Sequence, residues 1–210
     1  MLNLIHNESN KWWLLFLIAA TLVFTWLQQT FFVSDILYYN TYGDQLSMET
    51  IELMIGGAKK YAWIAYLAMP LLLLLRITLV ACCFYAALFF KSEKADFASC
   101  FNIALKSDTV FAVFVLFNMI YQVVVPANNL AELSANPITL LYYLDMEIIP
   151  KYLLYPLGLV NLAELFYWAL MIGLIRYRYN FSAGESFDFV LKSYGVGLLF
   201  MALLFALILM

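Results

Sequence analysis

Charge is scarce in this sequence. Of 210 residues, 12% are charged and 66% are hydrophobic, whereas a soluble domain carries about 25% charged and 45–50% apolar residues. A core of this size cannot bury such an apolar surplus, so the excess must face lipid. Histidine is nearly absent: His6 is the only one, which excludes a histidine metal cluster and a Ser-His-Asp triad. The cysteines, Cys82, Cys83 and Cys100, lack the two spaced pairs of a zinc site and read as small inert residues. Basic residues are not in excess, with 11 Lys and Arg against 14 Asp and Glu, so nothing marks a nucleic-acid partner. The chain has no Gly-rich phosphate loop and no H-E-x-x-H, and Gly184-Glu-Ser186 lacks the second glycine of a nucleophile elbow. These absences predict a non-enzymatic protein with no cofactor and no metal.

What the chain does have is long apolar runs. Five approach the roughly 20 residues that a helix needs to cross a bilayer: about 12–33, 61–90, 107–125, 151–176 and 192–210. The runs are continuous rather than alternating, which argues against a barrel. The expected fold is an all-α, polytopic helical membrane protein with one transmembrane domain over 1–210. Lys11 is the only basic residue ahead of the first run, and no A-x-A site follows it, so this run reads as a retained helix rather than a signal peptide.

Lys and Arg in the flanks predict the orientation. Lys11, Lys91, Lys94, Lys106, Arg176, Arg178 and Lys192 fall on one side, and Lys59, Lys60 and Lys151 on the other. This split places the N-terminus in the cytoplasm and the C-terminus outside. The expected location is a bacterial inner (plasma) membrane. In the first outer loop, Ser47 reads as a helix cap and Gly56-Gly57 as a stop. Met48, Ile51, Ile55 and Ala58 would share one face of that helix, lying on the membrane surface. In the second, Asn136-Pro137 reads as a helix start leading into 138–146. Asp145 and Glu147 there read as solvated charge, or as weak oxygen ligands for a divalent cation. Tyrosines 38, 39, 42, 61, 142, 143, 152 and 155 cluster at this boundary and suit an interfacial belt.

The chain also repeats itself. Residues 100–107, CFNIALKS, resemble 186–193, SFDFVLKS, at an offset of 86 without a gap. Val110 and Phe114 recur as Val196 and Phe200 at the same offset, and Leu79 and Leu88 as Leu165 and Leu174. This predicts a parallel duplication, 76–125 and 162–210, an architecture known among small transporters. An amphipathic cytoplasmic linker in each hairpin would explain the residue types but not their shared order.

Five runs, this topology, and a Ser-Phe segment (Ser186-Phe187, with Leu191-Lys192-Ser193) feeding the later spans resemble the Yip1-domain membrane proteins, including their bacterial members. The similarity covers roughly Arg76 to the end. The long polar N-terminal region of eukaryotic members has no counterpart, so the resemblance implies a fold and topology rather than an activity.

Two charges fall near mid-span: Arg76 in the second run and Glu164 in the fourth. A lone charge there costs about 2.5–3.5 kcal/mol on insertion scales and usually faces a partner or a cavity. Asn161 shares a helical face with Glu164, and Asn118 shares one with Gln122. Two readings stay open for Arg76, Asn118, Gln122, Asn161 and Glu164. In one, Arg76 and Glu164 pair to lock two helices, with the amides as interhelical glue; in the other, the five line a cavity where Glu164 carries a proton or cation. The corresponding functions are a scaffold or accessory subunit, with the bilayer and other membrane proteins as partners, or a small transporter or channel of unknown substrate.

Overall fold

The computed structural model describes residues 10–91, 95–144 and 149–209. His6, Lys94, Asp145 and Glu147 lie outside them. Every regular element among the described residues is helical. Helix α1 is Asn10–Leu27, continued by a π turn Gln28–Phe32; α2 is Asp35–Tyr42, α3 Met48–Tyr61 and α4 Trp63–Phe90. Helix α5, Phe97–Ser107, runs into α6, Thr109–Val124. The short α7, Leu130–Ser134, precedes a 3₁₀ turn at Leu140–Tyr143. Helix α8 is Lys151–Gly158 and α9 Leu162–Tyr179; α10, Ala183–Val190, passes through a π turn, Leu191–Gly195, into α11, Val196–Ile208.

Among the described residues, four helices are long and apolar enough to cross a membrane: Lys11–Phe32, Trp63–Phe90, Phe97–Val124 and Ala183–Ile208, of 22, 28, 28 and 26 residues. These fit an integral membrane protein. Two expected boundaries move. The segments at 97–107 and 183–193 are not linkers outside the spans but the first turns of long helices. Asp96 caps the first, its carboxylate accepting from the Ala98 and Ser99 amides at 3.2 and 3.1 Å. Ser182 caps the second in a reciprocal box with Glu185, at 3.2 and 2.8 Å. The expected run 151–176 is two helices, α8 and α9, broken at 159–161.

The contacts divide the chain into two units. The first comprises 1–15, 74–111 and 137–210; the second comprises 16–73 and 112–136. In the first unit, α4 buries Ile77, Val80, Ala81, Phe84 and Leu88, the i, i+3, i+4, i+7 stripe of a core-facing helix. Helix α5 contributes Cys100, Ile103, Ala104 and Ser107, and α9 contributes Ala163, Tyr167, Met171, Leu174 and Ile175. Phe84 meets Phe189 at 5.8 Å between centroids, and Tyr155 of α8 meets Phe205 of α11 at 4.2 Å. Trp13 of α1 donates its indole N–H to the Thr109 hydroxyl at 3.1 Å. Between α9 and α10 the chain turns at Asn180, whose left-handed φ of 54° ends α9.

In the second unit, Ser47 caps α3 as expected, accepting from the Thr50 amide at 3.4 Å. Gly56-Gly57 does not stop this helix, which continues to Lys59 and Lys60 in its last turn. Of its expected apolar face only Ile51 and Ile55 are buried, and Met48 is exposed. The cap in the second loop is Asn129, not Asn136: its side chain accepts from the Glu132 amide at 2.8 Å. The loop is anchored where Asn40 donates to the Asn128 carbonyl at 2.7 Å and the Leu130 amide donates to the Thr41 hydroxyl at 2.9 Å. Lys59 pairs with Asp35 at 2.7 Å on the surface.

Candidate functional site

The break between α8 and α9 positions the first polar group. Pro156 lies inside α8, and Asn161 takes an extended conformation. The Asn161 side-chain oxygen accepts from the Glu164 amide at 2.7 Å, and its side-chain N–H₂ donates back to the Gly158 carbonyl at 3.0 Å. Two further backbone groups at the break are satisfied by the loop that precedes α8. The Leu140 amide donates to the Val160 carbonyl at 2.9 Å, and the Leu162 amide to the Ile138 carbonyl at 3.0 Å. Thr139 and Asn161 thus form an antiparallel bridge. Irregular backbone in an apolar setting needs such internal partners.

Glu164 therefore sits in the first turn of α9, not midway along one continuous span. It is buried, at 8% exposure, and accepts a hydrogen bond from the Tyr194 hydroxyl. Arg76 does not pair with it. The guanidinium donates to the Asp108 carboxylate at 2.7 Å and stacks 4.2 Å from the centroid of the Phe111 ring. Asp108 terminates α5 and is 1% exposed, while 43% of the Arg76 side chain remains accessible. The expected Arg76–Glu164 lock is corrected to Arg76–Asp108.

Aromatic rings connect the two polar pairs. Phe111 meets Tyr167 at 4.8 Å, Tyr167 meets Tyr194 at 5.4 Å, and Trp168 meets Tyr194 at 5.8 Å. Tyr167 lies within electrostatic range of Asp108, Arg76 and Glu164. Its hydroxyl and the second Asp108 oxygen, Oδ1, are buried without a hydrogen-bond partner, which is costly unless a further group serves them.

Asn118 and Gln122 belong to the second unit. Gln122 is buried and donates to the Leu133 carbonyl at 3.0 Å, tethering α7. Its own carbonyl oxygen, and that of Asn118, lack partners. Gln122 lines an apolar groove of about 580 Å³ in that unit. Of the five residues singled out in the sequence, Asn161 and Glu164 are directly bonded. Sequence reasoning missed Asp108, Tyr167 and Tyr194. No group of three or more His, Cys, Asp or Glu side chains placed to hold a metal occurs among the described residues.

Outside the bilayer-spanning segments, hydrogen bonds hold two carboxyls below their ordinary range. For Asp96 the main cause is the Ser99 hydroxyl; for Glu132 it is the Asn128 amide.

No family model matches this chain, and neither a curated protein nor a solved structure is found to be similar to it.

Proposed function

We propose that this chain is a non-enzymatic helical membrane protein that acts as a scaffold or accessory subunit of a membrane complex. The observation carrying this reading is how its charges are used. Arg76 is engaged by Asp108, and Glu164 by Tyr194, so each polar group ties two helices of one unit together. Meanwhile Lys11–Phe32 and Ala183–Ile208 bury only 11% of their most apolar stretches, leaving long apolar faces for lipid or for partner helices. The proposed setting is a bacterial inner membrane, N-terminus in the cytoplasm and C-terminus outside. Helices α8 and α9 together would make a fifth crossing, as the Yip1-like resemblance implies.

A parallel duplication belongs to this proposal. At the offset of 86, the caps Asp96 and Ser182 correspond. So do the buried faces Cys100, Ile103, Ala104, Ser107 and Ser186, Phe189, Val190, Ser193. Asp108, which holds Arg76, corresponds to Tyr194, which holds Glu164. The copies differ at Lys106, buried at 3%, against Lys192, exposed and paired with Asp188 at 2.7 Å.

A second reading, a small transporter or channel around Arg76 and Glu164, draws on one observation: Glu164 stands at a helix break and, among the described residues, has no cationic partner within ion-pair distance. Half-helix ends of this kind bind substrates and ions in transporters. Reconstitution separates the two. The scaffold reading expects proteoliposomes to pass protons and alkali cations no faster than empty vesicles. A flux that Glu164→Gln abolishes would favour the second reading.

A further inference from the structure

The surroundings of Glu164 have a shape as well as a charge. The residue lines a groove of about 610 Å³, within the range of about 300–1,000 Å³ typical of small-molecule sites. The walls are Leu165, Trp168, Ile172, Phe187 and Leu198, all apolar or aromatic. Glu164 and Asn161 supply its polar part. Trp168 packs against the end of the π turn Leu191–Gly195: a Cβ added at Gly195 would lie 2.9 Å from its ring, so glycine there permits the close approach.

Charge balance across this unit is uneven. Arg76 is neutralised by Asp108. Glu164 has a hydroxyl donor in Tyr194, the Trp168 side chain also approaches it, and Arg76 acts on it from a distance, but among the described residues no lysine or arginine lies within ion-pair distance. A buried carboxylate without a counter-charge is costly, and a cation entering the groove would supply one. Lipid tails can fill the apolar walls, but they bring no positive charge. An aromatic wall next to the carboxylate further favours an organic cation.

We propose that the Glu164 groove binds a small amphiphilic organic cation, its apolar body against Leu165, Ile172, Phe187 and Leu198 and its charge at the Glu164 carboxylate. This takes the site of the second reading and names its ligand class, but it concerns binding only and does not require transport.

The probe is tetraphenylphosphonium, with tetraphenylborate as the same shape of opposite charge. Equilibrium dialysis of the full chain in phosphatidylglycerol nanodiscs should give saturable binding of the phosphonium, weakened at least tenfold by Glu164→Gln. Ala169→Phe, which adds bulk at an exposed position on the groove wall, should weaken it comparably while leaving Glu164 intact; this variant carries the test should Glu164→Gln fail to fold. The borate should show no saturable binding. Equal phosphonium binding by the parent and by either folded variant would overturn the assignment, as would saturable borate binding. Loss of binding when phosphatidylethanolamine is added would identify a lipid headgroup as the occupant and equally overturn it. Phosphonium binding without flux in proteoliposomes would leave the inference standing and remove the transporter reading.

Discussion

Replacing Arg76 with Met tests the corrected charge pair. Asp108 is 1% exposed and receives one hydrogen bond, from Arg76 at 2.7 Å; its other oxygen already lacks a partner. Arg76→Met therefore strips the carboxylate of its only partner among the described residues. Breaking a buried pair in this way costs about 3–5 kcal/mol. We expect about 3 kcal/mol or more, because Arg76 lies midway along Trp63–Phe90, where water does not screen a lone charge. Asp108→Leu should cost a similar amount, since it leaves the guanidinium at the same depth without its carboxylate, beside the Phe111 ring alone. The double variant Arg76→Met, Asp108→Leu should recover most of the Arg76→Met loss, because apolar replacement of a whole buried pair is often neutral. Arg76→Met with Glu164→Leu should recover nothing. Denaturant or thermal unfolding of the purified variants in one detergent decides the matter. Recovery with Glu164→Leu instead of Asp108→Leu would refute the reasoning, and so would an Arg76→Met protein as stable as the parent.

Further outcomes follow from the same structure. Asn180→Val should cost about 1–2 kcal/mol, because a β-branched residue is strained at φ 54°, while Asn180→Gly should be close to neutral; unfolding curves compare them. Gly195→Ala should destabilise by about 1–3 kcal/mol through overpacking against Trp168 at 2.9 Å, with an altered Trp fluorescence maximum. Asp96→Ala should cost about 1 kcal/mol as a lost helix cap. The Asp96 carboxyl is held below its ordinary range, so its stabilisation is complete above the unfolded-state value and is lost as pH falls through the folded-state one. The parent's stability should therefore drop on acidification over that window more than that of Asp96→Ala. For the proposed orientation, thiols introduced near Gly43 or Asn129 should label from outside in intact cells, and those near Asp96 or Gly184 only after permeabilisation; labelling at Asp96 in intact cells would remove it.

The apolar runs were legible because lipid-facing helices need continuous hydrophobicity, and four of them appear as helices long and apolar enough to cross a membrane. Their starts were less so. Lys106 and Ser107 looked like the edge of a span, yet the capping side chain is Asp96, ten residues earlier. The break in 151–176 was written in the sequence in a form that hydropathy hides. The pentapeptide NLAEL occurs twice, at 129–133 and 161–165, and both times its Asn caps a helix through the amide three residues on. In the exposed copy, Glu132 folds back onto the Asn128 and Asn129 amides. In the buried copy the cap is already made and Glu164 turns to Tyr194 instead. That difference depends on what packs nearby, which the pentapeptide does not encode. Asp108 escaped notice for a related reason. It lies at the very edge of the expected run 107–125, and only the continuity of α5 with α6 brings it opposite Arg76.

The scaffold reading is tested most directly by native mass spectrometry of the protein released in lipid nanodiscs from its own membrane. The account predicts a species heavier than the chain by a fixed complement of other polypeptides, in constant stoichiometry. Masses that are only the 24.2 kDa chain or its integer multiples would contradict it.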